Sequence, residues 1–115
     1  MTPVSKNNPL KHYRWGDHCD GWNLVDEREL SVKLERMPPH TAEQKHVHQQ
    51  AQQFFFILQG EALFEIEGEK IRVAANQGIH IRAGQRHRIV NDGDQAIEFL
   101  LSSQPSTQHD RTNLD

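Results

Sequence analysis

What most limits the folds open to this chain is a two-residue alternation that recurs through its middle, with no helical period of useful length. Ala62, Phe64 and Ile66 alternate with Leu63, Glu65 and Glu67, and Ile97, Phe99 and Leu101 alternate with Glu98 and Leu100. Leu30, Val32 and Leu34 alternate with Ser31, Lys33 and Glu35. Successive side chains of a strand point to opposite faces, so each stretch predicts a half-buried strand. Met37-Pro38-Pro39 ends the first, because proline cannot continue a hydrogen-bonded ladder. Glu67-Gly68-Glu69 reads as a hairpin turn, with Ile71 and Val73 on the returning strand. Gly78-Ile79-His80-Ile81 gives a short strand, His87-Arg88-Ile89-Val90 another, and Asn91-Asp92-Gly93-Asp94 a turn. The prediction is an all-β protein of many short strands, a sandwich or small barrel.

At 115 residues one domain is expected. A hydrophobic fraction of 35% is low for a chain that must offset its conformational entropy by burial. The apolar content is concentrated at Phe54, Phe55, Phe56, Ile57 and Leu58. A half-exposed strand would alternate there; this one is apolar on both faces. Its outer face calls for a second sheet, a second subunit or the chain's own N-terminal arm, and a homodimer is expected. The division predicted is an N-terminal arm over residues 1–23, a domain over 24–103 and a polar C-terminal tail over 104–115. The first eleven residues read as poorly ordered. Trp15 and Trp22 put both tryptophans in the arm, which is therefore expected to pack across the body or a partner.

A net charge of -3 offers no general attraction for nucleic acid. No apolar stretch approaches a membrane span, and no leader pattern opens the sequence. Cys19 stands alone, so no intrachain disulfide forms, a plain thiol is expected, and the cytoplasm is the natural compartment.

On a strand, His46 and His48 project from the same wall, and His87 from a second strand supplies a third imidazole, half of a metal shell. His80 lies between Ile79 and Ile81 and faces away if they face the core. His12, His18, His40 and His109 fall in loops or tails.

In register with these histidines lie Gly60, Gly84 and Asn91, and the whole pattern resembles the two motifs of the cupin superfamily. His46, His48 and Gly60 match the first motif, with Gln53 at its glutamate position. Gly84, His87 and Asn91 match the second, with Asn76 at its opening glycine and Arg82 at its proline. The resemblance covers roughly residues 30–101 and is closest to small single-domain bacterial cupins of the cupin-2, mannose-6-phosphate isomerase-like type. It implies a conical jelly-roll β-barrel (a double-stranded β-helix), often dimeric, with a metal held inside near the wider mouth. His46, His48 and His87 fall on metal-ligand positions, and Gln53 falls where a glutamate usually binds. The ion expected is one divalent transition metal, whether Fe, Mn, Ni, Co or Zn. An amide oxygen is a neutral and weaker donor than a carboxylate, so Gln53 should loosen the ion and leave it a stronger Lewis acid. Alternatively Gln53 stands off, and three histidines hold the metal.

Phe55 and Ile57 share the strand face of Gln53 and should wall the pocket, as ordinary core or as ligand contacts. Arg72, Arg82, Arg86 and Arg88 read as a solvated cluster; Arg82 and Arg86, flanking the second motif, are the two placed for anion contacts at the mouth. Asn91 is expected to make turn hydrogen bonds.

Two classes of function follow. One is a metal-dependent enzyme acting on a small oxygenated metabolite, isomerase-like or dioxygenase-like. The other is a non-catalytic small-ligand-binding or sensor module. An isomerase needs a base, and alternation from the ligands places neither Glu43 nor Glu61 inside the barrel. Fold does not decide between them.

Overall fold

The alternating stretches form strands, and the protein contains no helix. The structure is a computed structural model describing residues 1–115. Its strands are β1 (Lys11–Trp15), β2 (Cys19–Glu27), β3 (Leu30–Met37), β4 (Thr41–Ala42), β5 (His46–Val47) and β6 (Gln52–Gln59). They continue with β7 (Glu61–Ile66), β8 (Glu69–Ala74), β9 (Gly78–Ile81), β10 (His87–Asn91), β11 (Ile97–Gln104) and β12 (Thr112–Asn113). One sheet runs β1-β2-β3-β11-β6-β9 and the other β12-β5-β10-β7-β8, with β4 beside β10. Every pairing is antiparallel. No helix is long and apolar enough to cross a membrane.

The two sheets face each other as in a jelly roll, and their inner faces meet in one apolar core. Phe55 and Phe99 come from the first sheet, and Phe64 and Ile89 from the second. The Phe55 ring lies edge-on to Phe64 at 5.0 Å between centroids. Between β7 and β8 the turn residues Glu67 and Gly68 have φ of 49° and 82°. Positive φ at both central positions gives a tight hairpin whose twist matches its strands, and glycine takes that conformation without strain.

Inward-facing residues of the first sheet form rungs. Met37 opposite Ile97, and Phe99 opposite Ile57, make apolar ones. Ser31, Ser103 and Gln53 make a polar one, since Ser103 stands opposite both its neighbours. Here β3 departs from the expectation for a half-buried strand led by its apolar set. Ser31 and Glu35 are buried, while Leu30 is 41% exposed. The reason lies on the outer face, where Leu34 pairs with Trp22 and Leu100, and Leu100 with Phe56. Leu30, Val32 and Leu34 of β3 belong to that outer face, whereas Ser31 and Glu35 line the interior together with Met37.

The start of the N-terminal arm packs over the outer face of the first sheet, where Lys6 lies above Trp22 and pairs with Glu98 of β11. β1 and β2 form a hairpin that extends the first sheet beside β3, and β2 runs on through residues 23–24, where the domain edge was expected, with a shift of register between Asn23 and Val25. Trp15 packs against the core and donates its indole N–H to Asp20 O, whereas Trp22 lies outside, stacked on His12 beneath the Lys6 ammonium. Even the first eleven residues carry structure, a bridge between Ser5 and Asn8. None of this covers β6, whose outer residues Phe54 and Leu58 are 45% and 47% exposed. At the other end, residues of the expected tail form β12, which pairs with β5 beside His46.

Candidate metal centre

His46 on β5 stands directly across from His87 on β10. His48, two residues along, projects to the same side, and all three rings are buried. One ligand atom from each lies within 4.8 Å of the others. Two bonds of ~2.1 Å cannot place nitrogens more than about 4.2 Å apart, so a small ring rotation gathers all three on one ion.

The hydrogen bonds choose which nitrogens are free. His46 Nδ1 donates to Gln44 O at 2.8 Å, His48 Nδ1 to Asp110 O at 2.6 Å, and His87 Nδ1 to Gln85 O at 2.9 Å. A main-chain carbonyl only accepts, so each Nδ1 carries the proton and each Nε2 keeps its lone pair. Burial lowers all three ring pKa values, His46 to about 3 and His87 to about 4, and the rings are neutral near pH 7. His48 Nε2 is buried with no partner at all. Gln53 donates its amide to the Ser103 hydroxyl at 3.1 Å and turns its oxygen to within 3.1 Å of His87 Nε2. An acceptor facing an acceptor is costly unless something positive stands between them. Converging lone pairs without donors are the donor set a divalent transition ion needs, so the residues fit the group.

Around the triad the interior is polar and charged. Glu35 is buried and takes the Tyr13 hydroxyl as a hydrogen-bond donor. Tyr13 reaches it across Gly21, where an added Cβ would stand 2.1 Å from the tyrosine ring. Burial raises the Glu35 carboxyl, with Tyr13, Lys33 and Arg111 pulling the other way. Glu43 corrects the expectation that no carboxylate lies inside: its Oε1 is 3.8 Å from His46 Nδ1, buried and without a hydrogen-bond partner. It sits between β4 and β5, where strand alternation does not apply, and its N–H donates to Ile89 O of β10. Burial pushes its carboxyl up to about 7 against the opposing pull of Arg111, 3.5 Å away. Glu61 stays on the surface beside Arg72.

The other expected residues divide. Phe55 and Ile57 are in the apolar core, Phe55 one inward position from Gln53. Arg82 and Arg86 are both exposed. The Arg82 N–H is bonded to Gln85, and Arg86 lines an outer recess of about 440 Å³ with Lys45, Glu65 and Glu67. The cation whose field reaches all three histidines is Arg111. Asn91 is buried, donating to Met37, Pro38 and Gln95 carbonyls and accepting from Gly93, as the turn requires. His80 faces out and pairs with Gln52. Sequence reasoning passed over Tyr13, Glu35 and Arg111 and set Glu43 aside; Glu35 carried a signal in its place in the polar set of an alternating strand.

Residues 33–103 match the family described as the cupin domain. A stretch of 69 residues is 29% identical to an uncharacterised protein of Methanocaldococcus jannaschii, covering 60% of this chain and 55% of that protein. The oxalate-binding protein of Thermotoga maritima is 29% identical over 65 residues, 56% of this chain and 54% of its own length. This chain thus spans about half the length of the curated relatives it matches. Among solved structures, a Thermotoga maritima protein described as a predicted oxalate decarboxylase superposes with a TM-score of 0.81 at 19% identity, covering 92% of this chain and 100% of the other. KdgF from a Halomonas species gives 0.81 at 14% identity, covering 92% and 94%. At these identities the structures speak for the fold.

Proposed function

This chain belongs to the cupin family, and on that premise we propose that it binds one divalent transition metal through His46, His48 and His87, with Gln53 as a fourth donor, and acts on a small oxygenated metabolite. The observation that carries the reading is the set of three neutral imidazoles whose Nε2 atoms converge, one of them with no partner. The metal, when bound, supplies a Lewis acid for a substrate oxygen. The chain's own residues do the rest. Three carbonyls hold the rings in one tautomer, and the apolar core below closes the interior to water.

The isomerase-like form of the reaction needs a group that takes a proton from carbon and returns it; Glu43, the carboxylate beside the triad, lies on the Nδ1 side of His46, away from the converging Nε2 atoms, and is not placed as that base. The dioxygenase-like form needs no protein base, and the reaction type stays open between the two. The second reading, a binding module without turnover, is favoured by the Thermotoga maritima relative, which is named for binding alone. Elemental analysis of protein purified without chelator or a nickel column, beside a His46→Ala control, tests the metal. About one equivalent in the parent and none in the variant is expected; no metal in either defeats the reading.

The same proposal includes a homodimer in the cytoplasm. The row Trp22, Leu34, Leu100 and Phe56 is half-buried, and beyond it Phe54 and Leu58 give the first sheet an apolar outer edge that this chain leaves open. Light scattering should give twice the chain mass at tens of micromolar, and a monomer there contradicts it.

A further inference from the structure

We infer that Asp110 is a positioning residue of the metal centre, acting through His48; this rests on the metal reading above. One residue holds His48 by two routes. Its main-chain oxygen accepts the His48 Nδ1 proton at 2.6 Å. Its carboxylate gathers the three amides that follow His48: Gln49 N–H to Oδ1 at 2.9 Å, Gln50 N–H to Oδ2 at 3.1 Å and Ala51 N–H to Oδ2 at 2.9 Å. Burial pushes this carboxyl up, but the three amide bonds outweigh it and keep it below the usual aspartate value.

The two routes depend on each other. A carbonyl from a segment sixty residues away in sequence stays opposite a ring nitrogen only if that segment is anchored there; β12 ties its far side to β5, and the carboxylate is the anchor at Asp110 itself. The other two histidines take their carbonyls from two residues upstream, Gln44 and Gln85, so local backbone geometry fixes them. His48 has no such local partner. Its own carbonyl is held by the Gly84 N–H at 2.7 Å, which fixes the backbone but leaves the ring free to turn. With Nδ1 protonated by this contact, the unpartnered Nε2 faces the other two rings as a lone pair. Without it, the ring is free to carry its proton on Nε2, where it repels an ion. Arg111 follows directly and contacts Glu43, and β12 then pairs with β5, so one short segment braces two sides of the site.

The test is cobalt(II) titration of the parent, Asp110→Ala and Asp110→Asn, with the His48 ring tautomer read by nitrogen-15 NMR in metal-free protein. Asp110→Ala should bind cobalt(II) roughly 10–100-fold more weakly, the range seen when a group supporting a metal ligand is removed. Its His48 signals should change from the Nδ1–H pattern to a mixture of tautomers. Asp110→Asn keeps an oxygen for part of the amide set and should fall between the two in both readouts. Parental affinity and an unchanged Nδ1–H pattern in Asp110→Ala overturn the inference. If Asp110→Ala does not fold, the same result in Asp110→Asn overturns it. If the parent itself binds no cobalt(II), the metal reading fails, and the tautomer measurement alone decides whether Asp110 sets the ring.

Discussion

The two ends of the barrel interior are built from the same strands but obey different rules. Along β11 the inward residues run Ile97, Phe99, Leu101 and Ser103; along β6 they run Ile57, Phe55 and Gln53; along β10, Ile89 and then His87. At the apolar end the inward side chains are held chiefly by contact with their neighbours, and the one amide there, Asn91, is fully hydrogen-bonded. At the polar end the buried groups include Ser31 Oγ, Glu43 Oε1 and His48 Nε2, all without partners. Native interiors leave few polar atoms in that state, and each one marks a cost accepted for another purpose. One end therefore holds the fold, and the other uses part of that stability to keep donors available.

The sharpest way to break this comparison is to hollow out the apolar end. Phe99→Ala should cost about 3–5 kcal/mol, because Phe99 is completely buried and packs on Phe55 of the neighbouring strand. Urea denaturation of metal-free protein measures it, and a loss under about 1 kcal/mol would show that the core is not packed as described. His87→Ala should do the reverse. Metal affinity should fall by more than the roughly 10–100-fold expected for a supporting residue, while metal-free stability moves far less than in Phe99→Ala. A variant at either end that moved both quantities equally would erase the division.

Gln53 sits at the junction of the two ends, and its variants sharpen the line. If its oxygen ligates, Gln53→Glu should tighten binding of a given divalent metal, because a full charge is added at contact distance. Gln53→Ala should weaken it modestly, since three imidazoles remain. Equal affinities across the series would rule out ligation and make Gln53 a spacer hydrogen-bonded to Ser103.

The smallest expected effect is a pH dependence confined to the polar end. His46 and His87 are held near 3 and near 4 when folded, against an ordinary 6.5, so below about pH 6.5 the unfolded chain binds more protons than the folded one. Metal-free stability should therefore fall as pH drops from about 6.5 toward 4. Glu43 has the opposite sign: raised from 4.5 to about 7, it favours folding at low pH and loses that contribution as pH rises through about 7. Urea midpoints at pH 7, 6 and 5 should decline, and decline less in His46→Ala. Parallel curves would mean that the imidazole is not buried in its neutral form.

The same contrast explains what the sequence could and could not disclose. Strand positions and turns were legible because alternation and Gly or Pro punctuation are local. The triad was legible because His46 and His48 share a strand face, and because Gly84 and Asn91 fix the register of His87. Alternation gives a strand two faces but does not say which is inward when the interior is itself polar, and so Ser31 and Glu35 of β3 were read with the wrong partner set. Glu43 and Asp110 lie outside the long strands, where no period exists to carry a side chain's direction. Arg82 and Arg86 drew attention by nearness in sequence to His87, whereas Arg111 arrives from a segment whose composition resembles a solvated tail.

His46 and His87 face each other across adjacent strands yet are separated by more than a third of the chain. An ion shared by them would act as a removable staple across that loop. Closing a long loop withdraws conformations from the unfolded chain, the effect a disulfide has in proteins that possess the cysteines for one. Its strength is set by metal supply, so the protein's resistance to unfolding and proteolysis would follow the concentration of an ion in its surroundings.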